Sequence, residues 1–193
     1  WDPHYEADPT PFDWLEDFAD VRDLIEHVAR GDQGVRILHP GCGNSLLPEE
    51  LYDEGYTSIV NIDTSEVVVE QMAARNRERQ GMEWHVMDAT RTRFDDARFG
   101  LVIDKGVLDT FSCSVGNSSV VASAYLQEMA RVLRPGGVLL CISFGEPRLR
   151  MPLFEWSRAP FEVIFLELEA SLGMDANFAY VATKSPGGAF SMA

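Results

Sequence analysis

The sequence predicts an α/β fold: a mostly parallel, doubly wound seven-stranded sheet that ends in a C-terminal antiparallel hairpin. Three observations carry this prediction. Short β-type runs alternate with helical patterns through five repeats. The first run, ILHP, breaks into a glycine turn, and the second, SIVNID, ends on a lone carboxylate, Asp63. Two last strand-like runs are joined by a link, ASLGMDA, that is too short for a crossover helix, so they pair as a hairpin at the sheet's edge.

Taken in order, residues 1–14 (WDPHYEADPTPFDW) are aromatic and punctuated by proline, and read as an irregular arm. Over 15–29, Leu15, Phe18, Val21, Ile25 and Val28 recur at helical spacing, and Gly31 and Gly34 follow. Residues 35–39 are the first strand and 46–54 a helix stopped by Gly55. The second strand covers 58–63, and Ser65 caps a helix running to residue 80. Strands three and four are 83–88 and 100–105. A long helix over 118–133 ends at Pro135-Gly136-Gly137, and 138–144 is a fully apolar fifth strand. The hairpin strands are 161–169 and 177–184, and SPGGAFSMA is a frayed tail. The 193 residues are expected to form a single domain.

The glycine turn and Asp63 together indicate a ligand. In open α/β sheets ligands sit beyond the carboxyl ends of the strands, where bare backbone can approach them and an acid about 20 residues on can grip a ribose. Asp63 lies 20 positions after Gly43. A dinucleotide fingerprint would want a third small residue where this chain has Leu46, and no Walker loop is present. A ligand with a ribose but no phosphate fits better, and S-adenosylmethionine is such a ligand.

The net charge of −15, from 16 basic and 31 acidic residues, disfavours nucleic acid as a partner and would draw basic ones. Three cysteines without a CxxC or a His/Cys cluster argue against a disulfide framework or a zinc site, so no metal is expected. No secretory signal or membrane-spanning run is visible, which points to a reducing, cytoplasmic setting and a protein without membrane partners. A monomer is expected. The start at Trp1 rather than Met implies residues before it.

The order of elements resembles the Rossmann-like class I S-adenosylmethionine-dependent methyltransferases over nearly the whole chain. The resemblance implies that Gly41-Cys42-Gly43 wraps the methionine part of the cofactor, that Asp63, with Thr64 beside it, holds the ribose, and that Asp88 and Ala89 meet the adenine. LRPGG, 133–137, matches the turn before strand five. The family often has an acid where this chain has His39. A narrower resemblance, to the elongation factor 1A lysine methyltransferases and the methyltransferase-like 13 group, lies in WDPHY…PFDWLEDF, GCGNS, the SxVVV that begins at Ser65, and DKGVLD. It implies that Trp1, Tyr5, Phe12, Asp104 and Lys105 border the cofactor, although Phe12 replaces a tyrosine. The product would be S-adenosylhomocysteine.

The expected reaction is in-line attack of an amine on the sulfonium methyl, with alignment as the main contribution of the protein. A lysine of pKa about 10.4 must first lose its proton, which needs an apolar pocket or a carboxylate. Asp109 and Asp104, at the carboxyl end of strand four, are the catalytic candidates, Asp109 for acceptor contact and Asp104 as its neighbour or as an anchor of the loop. The N/D-P-P-Y/F motif of amide- and adenine-directed enzymes is missing. The leading expectation is therefore a lysine methyltransferase acting on elongation factor 1A or a similarly basic protein. A small-molecule methyltransferase with a deep closed pocket, and a non-catalytic binding partner with this fold, stand as alternatives.

Overall fold

The computed structural model describes residues 1–8, 10–112, 118–168 and 176–186. Among these, seven strands form one sheet: β1 (Ile37–Pro40), β2 (Ile59–Asp63), β3 (Met82–Val86), β4 (Phe99–Lys105), β5 (Leu133–Ser143), β6 (Phe161–Glu167) and β7 (Phe178–Lys184). Their order is β3-β2-β1-β4-β5-β7-β6. The first five are parallel to one another, and β7 lies antiparallel between β5 and β6. The hairpin expected at the sheet's edge is thus present, with its first strand outermost. Most of its expected link, the loop holding Cys113, and residues 187–193 of the expected tail lie outside the described residues.

Helices α1 (Asp2–Ala7), α2 (Phe18–Ala29), α3 (Leu47–Asp53), α4 (Glu66–Arg75), α5 (Val107–Ser112), α6 (Ser118–Val132) and α7 (Pro147–Ser157) flank the sheet. Successive strand residues point to opposite faces, and here both faces are covered. Leu38, Val60, Val102 and Leu139 pack with Tyr125 and Met129 of α6. Their sequence neighbours Ile37, Ile59, Leu101 and Leu140 pack with Val21 and Ile25 of α2 and with Leu47 and Leu51 of α3. All eight strand residues are 1% exposed or less. This is why the strands read as continuous apolar runs rather than as alternating ones. No described helix is long and apolar enough to cross a membrane.

Several boundaries differ from expectation for identifiable reasons. The arm is not wholly irregular: residues 2–7 form α1, whose Tyr5 is buried beside Val68, Met72 and Trp84. Helix α2 starts three residues late because Leu15 has a left-handed backbone, φ 69°, which no helix continues. The Asp17 N–H then donates to Asp20 Oδ2 at 3.2 Å to open the first turn. Helix α4 stops at Arg75, where the Asn76 side-chain amide turns back onto the Met72 carbonyl at 2.9 Å. Strand β5 begins at Leu133, with Pro135–Gly137 carried as an irregularity opposite Gly100 rather than as a turn before the strand. Helix α7, with Pro152 inside it, lies outside every element read from the sequence.

Burial at the sheet centre and exposure at its edge predict opposite sensitivities. Leu139→Ala, fully buried in β5, should lose about 3–4 kcal/mol in urea unfolding, whereas Ile164→Thr on β6, 62% exposed, should stay within about 0.5 kcal/mol of wild type.

Candidate active site

The carboxyl ends of β1, β2 and β4 open onto a cavity of about 730 Å³. Strand β1 has β2 on one side and β4 on the other, so the chain leaves neighbouring strands in opposite directions and a crevice remains between the connections. The turn after β1 forms its floor. Gly41 and Gly43 are both left-handed, φ 55° and 50°. A Cβ on Gly41 would come within 2.5 Å of Val107 Cγ2, and one on Gly43 within 2.9 Å of the Tyr5 hydroxyl. The turn must therefore be bare backbone on steric grounds as well as conformational ones.

Asp63, at the end of β2, holds this turn. Its Oδ2 accepts the Gly43 N–H at 3.0 Å and its Oδ1 the Ser65 N–H at 2.9 Å. It is 7% exposed and lines the cavity with Thr64, Met87, Asp88 and Ala89. Asp88 is exposed, and its Oδ1 accepts the N–H and hydroxyl of Thr90, both at 2.8 Å. Cys42 is buried, and burial followed by the Asp63 charge pushes its thiol well up, so it stays protonated and is not a nucleophile. Burial and the same carboxylate push the Tyr5 phenol up.

Chain from the N-terminus roofs the opening. Trp1 stacks on Tyr5 at 6.1 Å between ring centroids, and Phe12 meets Trp14 edge-on at 5.0 Å. Trp1, Phe12 and Trp14 are each more than half exposed at the rim. Lys105, expected beside the cofactor, lines the cavity but is ion-paired: its Nζ donates to Asp13 Oδ1 at 2.5 Å and to the Trp14 carbonyl at 3.0 Å. Asp13 also accepts the Ser45 hydroxyl and, at 3.0 Å, the Leu46 N–H. Burial pushes its carboxyl up, but Lys105 and Ser45 together hold it below its ordinary value.

The two carboxylates expected at the acceptor lie elsewhere or are already engaged. Asp104 is fully buried and is not part of the cavity wall. It accepts the Val107 N–H at 2.8 Å, the Leu108 N–H at 3.2 Å and the Tyr125 hydroxyl at 2.9 Å, and so starts α5. Burial raises it to about 7 against the pull of the Tyr125 hydroxyl, with the Asp109 charge adding to the rise. The expectation that Asp104 borders the cofactor or the acceptor is corrected on this geometry. Asp109 does line the cavity, but it forms a buried ion pair with Arg150 at 2.8 Å. It also accepts the Ser143 hydroxyl and, at 3.1 Å, the Phe144 N–H.

Asp13, Trp14, Phe111, Phe144 and Arg150 were missed as site residues. Asp13 and Trp14 stand in the FDW of the arm whose likeness to known enzymes drew attention to Phe12 alone. Nothing in the sequence links Arg150 to Asp109, 41 positions earlier.

A sheet of this order with a glycine turn and a paired acid at its carboxyl ends defines a class I S-adenosylmethionine-dependent methyltransferase fold. The chain belongs to the methyltransferase-domain family, whose profile matches residues 38–141. It is 39% identical over 137 residues to the eEF1A lysine and N-terminal methyltransferase of Xenopus laevis, an alignment covering 70% of this chain and 20% of that protein. It is 34% identical over 159 residues to EEF1A lysine methyltransferase 4 of Bos taurus, covering 78% and 62%. The chain therefore spans about a fifth of the first relative and less than two thirds of the second. Among solved structures, the N-methyltransferase NodS of Bradyrhizobium japonicum in complex with S-adenosylhomocysteine has the same fold, with TM-score 0.67, 13% identity and 84% of each chain covered.

His39, in β1, is 2% exposed and its Nδ1 lies 3.2 Å from Asn61 Oδ1. Burial, then the Lys105 charge, push its imidazole down to about 4, so it is neutral at pH 7. Between pH 6.5 and 4 the unfolded chain takes up a proton here that the folded chain refuses, so stability at this residue is lost as pH falls. Acidification from pH 7 to 5 should cost wild type about 2 kcal/mol relative to His39→Asn. Urea unfolding of both proteins at both pH values checks this, since Asp104 titrates alike in each and cancels.

Proposed function

We propose that this protein is an S-adenosylmethionine-dependent methyltransferase whose acceptor is a lysine amine of elongation factor 1A or a similarly basic protein. The observation that carries the cofactor assignment is Asp63: a buried carboxylate at the end of β2, bonded to the backbone of the glycine turn and facing the cavity. The residues present fit the group. The turn brings bare backbone at Gly41 and Gly43 to the cavity wall, and aromatic rings stand beside it.

In this reading Gly41, Cys42 and Gly43 line the methionine part, Asp63 and Thr64 the ribose, and Asp88 and Ala89 the adenine. Trp1, Tyr5 and Phe12 cover the ligand and exclude water. The cofactor supplies an electrophilic methyl carried on a sulfonium. The acceptor side is walled by Phe111, Val121 and Phe144. Such a wall disfavours an ammonium and favours the neutral amine that attacks. Asp109, its charge matched by Arg150, fixes this wall through the Phe144 N–H rather than drawing off the proton. Alignment of amine and methyl is then the main source of rate.

The acceptor assignment rests on the named relatives and on the net charge of −15, which attracts basic proteins. One observation favours the second reading, a small-molecule acceptor: the rim is aromatic, with Trp1, Phe12, Trp14 and Phe144 exposed, rather than acidic. Transfer of labelled methyl to purified elongation factor 1A, run beside a panel of small amines, separates the two.

Calorimetric titration with S-adenosylmethionine should show binding that Asp63→Ala weakens by about ten-fold or more, because charge-assisted bonds are lost. Unaltered binding by the variant would refute the site. Arg150→Met should lower stability by about 3 kcal/mol or more by stranding the Asp109 charge. Asp109→Asn should leave the pH dependence of kcat in place; a vanished acidic limb would make Asp109 the base instead.

A further inference from the structure

We propose that Asp13 is a positioning residue for cofactor binding: paired with Lys105, it latches residues 10–16 across the cavity and sets the rate of cofactor exchange. This rests on the cavity being the cofactor site, as argued above.

The 10–16 segment is held mainly by polar bonds. Phe12 and Trp14 are 54% and 56% exposed, Leu15 is half-buried against the core, and Glu16 is its one buried side chain. Asp13 reaches both sides of the opening. It takes donors from Ser45 and Leu46 at the far end of the glycine turn, and from Lys105 at the end of β4. Lys105 holds the same segment a second time, through the Trp14 carbonyl at 3.0 Å. The side chains of Lys105 and Asp13 are 4% and 11% exposed, so the pair is largely desolvated, and removing either partner strands the other.

The ends of the segment are pinned more lightly. Asn44 donates to the Thr10 carbonyl at 2.6 Å. Asn177 donates to the Glu16 carboxylate at 2.9 Å and to the Leu15 carbonyl at 3.4 Å. Between these points Leu15 is kept at φ 69°, a conformation a leucine rarely adopts. Such a residue relaxes when the segment lifts, so closure works against local strain and depends on the latch. Segments with few buried apolar contacts are the ones that open below the global unfolding free energy. Phe12, Trp14 and Leu15 all line the cavity, and a ligand beneath them is confined until they move. Lys105, itself in the cavity wall, thus also acts on the cofactor through Asp13 and the roof.

The test compares wild type with Asp13→Asn, which keeps shape and removes charge. Two readouts are used: stopped-flow tryptophan fluorescence with S-adenosylhomocysteine, and limited chymotrypsin cleavage at Phe12 and Trp14 without ligand. The expected result is a ligand off-rate raised about ten-fold or more and faster cleavage in the variant. Ser45→Ala, which removes one donor and leaves the ion pair, should show a smaller change in the same direction, and stands in if Asp13→Asn does not fold. Wild-type off-rate and wild-type cleavage in Asp13→Asn would overturn the latch. If wild type itself does not bind the ligand, the cofactor reading fails, and the cleavage comparison still decides the latch by itself.

Discussion

The position of β1, between β2 and β4 in the middle of a parallel sheet, is the constraint from which the site follows. Parallel neighbours cannot be joined by tight turns, so the chain leaves each parallel strand by a longer connection across one face or the other. Where the direction of winding reverses, the strand ends are left uncovered and a crevice opens. That crevice requires bare backbone at Gly41 and Gly43, because Val107 and Tyr5 already occupy the space of their side chains. It also places Asp63, one strand over, where it bonds the turn that the glycines make.

A second regularity is that the largely buried acids around this cavity are matched. Asp13 has Lys105, Asp63 has two backbone N–H groups, and Asp109 has Arg150. Asp104, behind the wall, has a tyrosine hydroxyl and the first N–H groups of α5. A chain of charge −15 thus presents an aromatic, largely apolar mouth instead of an acidic one. Buried charges persist only when paired, and each pair here spans two elements. Charge matching therefore also fastens the N-terminal segment, the glycine turn, β4, β5 and α7 to one another. Chemistry at such a site depends on alignment and on exclusion of water more than on a side chain that carries a proton.

Much of this was legible in the chain. Apolar runs alternating with helical periodicity, a glycine turn followed 20 residues later by Asp63, and a closing hairpin all follow from local patterns, because side-chain period and turn chemistry are properties of neighbouring residues. Those patterns were enough for the sheet, its winding and the glycine turn and Asp63 that line the cavity. The family likeness in WDPHY…PFDWLEDF and DKGVLD reached further, to Trp1, Tyr5, Phe12, Lys105 and Asp109, all of which line the opening.

What the tertiary structure decided is which charges meet. Asp104 and Asp109 are five residues apart on one short segment and look interchangeable in sequence. One turned inward to start a helix, and the other turned toward a guanidinium 41 residues away. Asp13 found Lys105 across 92 positions, and Leu15 was forced out of the helix its periodicity suggested. Local sequence sets which side chains are apolar and where the backbone can bend. The partner of a buried charge depends on distances that exist only once the chain has closed, because desolvation makes the nearest opposite charge decisive.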